Sequence, residues 1–274
     1  MQDPRLLPAE SFTSLLGKSF AARPSWIEPE IIPRGGKVLL GGEAKIGKSF
    51  VLLNIARALA TGESLFNYEP FTIPQACRVL ILEQEIGEKG FKSRVEKGLS
   101  DVVSEVLSNN LWYVSKRPWL RFDDAEGFAN IRALIEQVQP NVLFCDPLSK
   151  FHYWDENHST DMAKFWNRMD TLVWEYRHLD LAVVISHHYG KPLRDPRIDW
   201  DPLDPYNFRG SSKVFDEADT LLTMHRTEQD IRLPWEAWRL KVRWTLRQAS
   251  SPRDMLLTVN SPQEGRVLFE KFVE

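Results

Sequence analysis

Eight consecutive residues, Gly42-Glu43-Ala44-Lys45-Ile46-Gly47-Lys48-Ser49, have the types and spacing of a loop that holds phosphate. The pattern is G-x-x-x-x-G-K-[ST]. Glycines let such a loop curl so that successive backbone N–H groups point inward at anionic oxygens. The positive end of a following helix adds to that field. In this arrangement Lys48 reaches the β- and γ-phosphates of a nucleoside triphosphate, and the Ser49 hydroxyl ligates Mg²⁺. Gly42 through Phe50 are therefore read as the ATP-binding segment. The bland alternative is a chance match at a glycine-rich turn. Against it stand the flanks: a short apolar strand over Lys37–Gly42, and apolar residues at helical spacing from Phe50 to Ala60, closed by Gly62.

Hydrolysis of a phosphoanhydride needs three further groups: an acid to hold Mg²⁺, a group to position water, and a cation for the developing charge. Asp146 ends the apolar run that starts at Asn141, and is the candidate metal acid; the alternative is a turn aspartate before Pro147. Glu83 and Glu85 follow the apolar run Cys77–Leu82, and either could orient the attacking water. Ser186 and His187 follow Leu181–Ile185, where they could sense a γ-phosphate. Lys241 and Arg243 lie on an alternating stretch and share one strand face, suited to reaching a phosphate of a neighbouring subunit or to facing solvent.

These residues sit at the ends of elements that the pattern predicts in turn. Cys77–Leu82, Asn141–Asp146 and Leu181–Ser186 are continuous apolar runs, as expected of strands buried on both faces. Leu111–Ser115 and Thr220–Met224 are shorter strands. Helices are expected over Lys89–Leu107, Ala125–Val138 and His158–Arg177, the last with Met162, Phe165, Met169, Leu172 and Tyr176 on a core stripe. Strands alternating with helices make a mainly parallel central sheet flanked by helices. From Trp235 onward the pattern changes to alternation, so antiparallel strands extend the sheet. Residues 1–24 read as an N-terminal arm and 25–274 as one α/β domain. Trp26 is read as pinning the arm to the domain, with stacking on an adenine as the other possibility.

Composition narrows the classes. A charged fraction of 27% with 43% apolar residues supports a folded core rather than disorder. Net charge is −3 at pH 7, which lends no bulk support to nucleic-acid binding. Cys77 and Cys145 lie in or beside apolar runs and read as small buried hydrophobes. No apolar run approaches membrane-spanning length and no signal pattern opens the chain, so a cytoplasmic protein is expected.

With these residues assembled, the chain resembles RecA-like P-loop ATPases of the plasmid RepA hexameric helicase type, and more distantly DnaB-type helicases. The resemblance covers roughly residues 25–260. It rests on Gly42–Ser49, on Leu82-Glu83-Gln84-Glu85, on the stretch from Asp146 to Asn157, on Ser186-His187-His188, on Arg209-Gly210-Ser211-Ser212, and on Lys241-Val242-Arg243. It implies Lys48 and Ser49 on phosphate and Mg²⁺, Asp146 as the Walker B acid, Glu85 rather than Glu83 as the water-activating glutamate, and His187 as the sensor. It further implies Lys241 and Arg243 as fingers acting in trans within a hexameric ring on single-stranded DNA.

The loop after His188 departs from a DNA-binding pattern. Lys191, Arg194 and Arg197 are offset by Asp195, Asp199, Asp201 and Asp204. Tyr189, Trp200, Tyr206 and Phe208 could stack bases or pack the loop down. The expected function is thus a Mg²⁺-dependent DNA motor. An ATP-switched oligomeric loader without translocation is the alternative, and a small-molecule kinase a third.

Overall fold

A computed structural model describes residues 9–19, 24–190, 200–227, 238–260 and 267–272. Lys191, Arg194, Asp195, Arg197 and Asp199 lie outside the described residues. The chain opens with a short helix α1 (Phe12–Leu16), capped by the Ser11 hydroxyl, which accepts from the Ser14 N–H. A small antiparallel pair follows, β1 (Ser25–Ile27) and β2 (Ile32–Pro33). Trp26 is buried there, with its indole N–H donating to the Asp180 carbonyl and the Arg34 guanidinium over its ring. It is a pin.

Six parallel strands form the body of the main sheet: β3 (Lys37–Gly42), β4 (Val79–Glu83), β5 (Leu111–Ser115), β6 (Val142–Asp146), β7 (Ala182–His188) and β8 (Thr220–Arg226). Three antiparallel strands extend it: β9 (Arg239–Leu246), β10 (Met255–Asn260) and β11 (Leu268–Lys271). The spatial order is β11-β10-β9-β8-β3-β7-β6-β4-β5. This is the mainly parallel α/β sheet with antiparallel C-terminal strands that the hydrophobic patterning predicts.

Because strand side chains alternate, each strand feeds two cores. Val38, Leu40, Val142, Phe144 and Val184 join the core under α2 (Lys48–Thr61) and α3 (Gly87–Gly98). Leu39, Leu143, Cys145, Val183 and Ile185 join the opposite core under α5 (Ala125–Val138) and α6 (Ser159–Glu175). The single helix expected over Lys89–Leu107 is instead two, α3 and α4 (Ser104–Asn110). Between them Leu99 and Val102 turn into the core, and their burial outweighs a continuous helix. A four-residue helix α7 (Lys213–Asp216) precedes β8.

The α5/α6 core is built around Phe122, which is fully buried and packs against the rings of Phe128, Phe151 and Phe165. Phe122→Ala should therefore lower the unfolding free energy by about 3–5 kcal/mol. Urea titration followed by circular dichroism measures it; a loss below about 1 kcal/mol would mean that this aromatic cluster does not organise the core.

Candidate nucleotide site

The register of the parallel strands brings the predicted residues to one end of the sheet. Gly42 pairs with His188, and Leu40 with Ser186. Cys145 pairs with Ile185, so Asp146 comes level with Ser186, and Glu83 pairs with Asp146. All of these lie at the carboxyl ends of β3, β4, β6 and β7, where open α/β sheets bind ligands.

The loop between β3 and α2 needs its glycines. Gly47 has φ +102°, and a Cβ there would come within 2.9 Å of the Trp238 ring. Gly41 allows the Phe208 ring to lie where a Cβ would otherwise stand, 2.1 Å away. Lys48 opens α2 with its side chain folded back, its ammonium donating to the carbonyls of Gly42 (2.9 Å) and Glu43 (2.6 Å). Burial lowers its pKa to about 8, opposed by the charges of Asp146, Glu85 and Glu43. A buried ammonium in this state gains from added negative charge.

Asp146 is almost inaccessible and lies between two hydroxyls. Ser49 donates to one carboxylate oxygen at 2.9 Å, and Ser186 donates to the other. Burial pushes the Asp146 carboxyl above the usual carboxylate range; the two serine hydrogen bonds oppose the shift and Glu85 adds to it. A pocket of ≈ 340 Å³ opens over this group. Its lining includes Lys45, Lys48, Ser49, Phe50, Glu85, Arg94, Asp146, His188 and Trp238.

The two neighbouring glutamates separate by geometry. The Glu83 carboxylate is buried and accepts from the backbone N–H groups of Glu85 (2.6 Å), Ile86 (2.5 Å) and Gly87 (3.2 Å), and from the Ser115 hydroxyl (2.8 Å). It is spent on holding the turn. Glu85, carried by that turn, is exposed and lines the pocket.

The pair at the end of β7 divides differently from the sequence reading. Ser186 and His188 point to the α2 face, and His188 lines the pocket. His187 points to the opposite face, stacks on Phe208 at 6.1 Å with the rings 7° apart, and its Nε2–H donates to the Arg209 carbonyl at 2.8 Å. Burial drives its pKa down to about 3, so the ring is neutral. The expected sensor His187 is not at the pocket. The strand runs two residues further than the apolar run suggests, and alternation then decides which histidine faces the loop.

Lys241 and Arg243 share the face of β9 away from α2, and neither lines the pocket of its own chain. Arg243 forms a fork with Asp254 (2.8 and 2.9 Å) and reaches Asp201 at 2.5 Å. Lys241 lies 3.6 Å from Asp254. Hydrogen bonding to Arg243 holds the Asp254 carboxyl below its ordinary range. Of the four loop aromatics, Tyr189 and Phe208 are buried against each other, while Trp200 and Tyr206 are exposed. Tyr189 and Phe208 thus pack the loop rather than offer a stacking surface.

Three pocket residues escaped the sequence reading: Arg94, His188 and Trp238. Arg94 is a charged position on a helix and Trp238 lies far along the chain, so neither carried a local pattern. Only strand parity could have pointed to His188.

The division of labour between the glutamates is testable. Glu83→Ala should destabilise the fold by about 3 kcal/mol, because three backbone N–H groups of the turn and the buried Ser115 hydroxyl lose their acceptor. Glu85→Gln should leave the unfolding free energy within about 0.5 kcal/mol of wild type. Calorimetric melting of both variants decides, and equal melting points would reject the assignment of Glu83 to the turn.

Comparison with known proteins agrees with this geometry. The family described as AAA domain matches residues 3–193. A KaiC-like protein from the hyperthermophilic archaeon Pyrococcus horikoshii shares the fold, with a TM-score of 0.59 at 11% sequence identity over 93% of this chain and 99% of that one. None of the curated proteins matches the chain. With a family match spanning more than half of its length, and a nine-stranded sheet that carries the phosphate loop between β3 and α2, the chain belongs to the AAA-domain family and is a RecA-like P-loop ATPase.

Proposed function

We propose that this chain hydrolyses ATP with Mg²⁺ in the pocket over Gly47–Ser49, within a ring in which Lys241 and Arg243 of one copy serve the site of the next, and that the assembly works on DNA. The observation that carries the hydrolytic reading is the meeting of Lys48, Ser49, Glu85 and Asp146 around one pocket. The Ser49 hydroxyl and the Asp146 carboxylate are hard oxygen donors, which suits Mg²⁺. Among the described residues no cluster of three or more His, Cys, Asp or Glu could hold a metal by itself. A site of one carboxylate and one hydroxyl fits an ion whose other ligands are phosphate oxygens and water. When bound, Mg²⁺ would be held from the protein side by Ser49 and Asp146 and would supply positive charge against the negative charge that develops during transfer.

The chain's own groups would then act in turn. Lys48 exchanges the carbonyls of Gly42 and Glu43 for phosphate oxygens, which supply the negative charge that its burial calls for. Glu85 accepts a hydrogen bond from the attacking water and aligns it. Against the burial that raises its pKa, Asp146 would be held ionised by the hydrogen bonds from Ser49 and Ser186 together with a bound cation. His188, at the pocket wall, takes the sensing position proposed for this strand end.

A second reading, an ATP-switched loader without translocation, draws support from the loop after β7. Asp201 pairs with Arg243, and Tyr189 and Phe208 are buried, so among the described residues of the loop these groups are engaged within the chain rather than presented to single-stranded DNA. No helix among the described residues is long and apolar enough to cross a membrane.

Lys48→Ala should abolish hydrolysis, a loss of at least about 100-fold in kcat. Normal turnover by that variant would remove the nucleotide from this pocket. Arg243→Ala should leave ATP binding intact and lower kcat by about 10³-fold, as loss of a trans finger does. Turnover measured with and without single-stranded DNA, across protein concentration, separates the readings. Stimulation by DNA supports the motor; indifference to DNA, with activity per subunit still rising with concentration, supports the loader.

A further inference from the structure

The phosphate end of the pocket is furnished by Lys48, Ser49, Glu85 and Asp146, but none of these groups would hold a nucleobase. The aromatic members of the lining are Phe50 and Trp238. Phe50 directly follows Ser49 in the first turn of α2. Trp238 comes from the far end of the sequence and immediately precedes β9. Its indole passes so close to Gly47 that a Cβ there would meet the ring at 2.9 Å.

The tryptophan is anchored in place. Strand alternation puts Trp238 on the same face of β9 as the buried Leu240, Val242 and Trp244, the face toward α2. The Arg226 guanidinium lies 4.9 Å from the centre of its ring, a cation–π contact. The Thr227 N–H and hydroxyl both reach the Arg239 carbonyl and tie the end of β8 to the residue that follows Trp238. Yet the side chain is only partly buried and faces the pocket. A large aromatic ring held by its surroundings and open toward a triphosphate site is a stacking platform at low entropic cost.

We propose that Trp238 binds the base of the nucleotide by stacking, which makes it the residue that distinguishes a nucleoside triphosphate from bare polyphosphate at this site. The proposal rests on the nucleotide pocket assigned above. It gives the C-terminal strands a second task in the same chain, since the stretch that presents Lys241 and Arg243 on one face presents the base platform on the other.

The test compares ATP with inorganic tripolyphosphate, each with Mg²⁺, by isothermal calorimetry on wild type, Trp238→Ala and Trp238→Phe. Loss of one base stack should weaken ATP binding about tenfold in Trp238→Ala. Tripolyphosphate affinity should stay unchanged in that variant, and Trp238→Phe should keep ATP within about threefold of wild type. Equal weakening of ATP and tripolyphosphate in Trp238→Ala would overturn the proposal, because the indole would then only prop the loop at Gly47. Unchanged ATP affinity in that variant would overturn it as well. If wild type binds tripolyphosphate but Lys48→Ala does not, the pocket itself stands whichever way the tryptophan result falls. If wild type binds neither ligand, the pocket assignment fails and takes the base platform with it.

Discussion

A carboxylate sealed inside a protein is unfavourable unless donors or a cation share its charge, and the site is arranged around one such group. Asp146 ends β6 with almost no access to water, and two serine hydroxyls converge on it. One comes from α2 and the other from β7, so the contact requires β3, β7 and β6 to be neighbours in that order and in register. A slip of one residue in β6 would turn the acid into the α5/α6 core. The site is therefore a product of the sheet's register as much as of its loops. The same burial that makes the carboxylate hard to keep charged makes a bound cation rewarding.

Alternation along single strands sorts the remaining groups. In β7, Ser186 and His188 belong to the pocket side while His187 belongs to the packing of the next loop through Phe208 and the Arg209 carbonyl. In β9, Leu240, Val242 and Trp244 are buried toward α2 while Lys241 and Arg243 stand on the other face with Asp254 and Asp201. An arginine forked onto one aspartate and bonded to a second is oriented rather than free, and Asp201 belongs to the segment that follows β7. Any role for Arg243 in another copy's site requires exchange of those partners.

Much of the fold was legible in the sequence because its signals are local. Buried parallel strands are continuous apolar runs, the late strands alternate, and the glycine loop sits between a strand and a helix. Lys48, Ser49 and Asp146 were readable because each stands at a strand end or in a fixed motif, and Glu85 was chosen over Glu83 on the resemblance. What the sequence hid depends on geometry that no single stretch contains. Glu83 and Glu85 are chemically alike, and although the resemblance favours Glu85, the physical reason, the turn of backbone N–H groups around Glu83, shows only in the structure. The resemblance pointed to His187, but the strand continues to His188, and alternation then turns His188 rather than His187 to the pocket. Trp238 and Arg94 reach the pocket from an adjoining strand extension and a separate helix, contacts set by tertiary packing. The break between α3 and α4 was missed because burial of Leu99 and Val102 outweighs helix propensity.

The two cysteines also carry a consequence for handling the molecule. Cys77 and Cys145 are the only thiols in the sequence, and both are buried beneath the sheet's layers. Burial pushes the Cys77 thiol up to about 12 and the Cys145 thiol well above its ordinary range. The thiolate is the reactive form, so at neutral pH neither residue has an appreciable population available to alkylating reagents or oxidants. A cysteine introduced at an exposed position, such as Tyr153 or Tyr206, would then be the one reactive thiol on the folded chain. The native protein thus serves as its own unreactive background for attaching a fluorophore or spin label without first removing its natural cysteines.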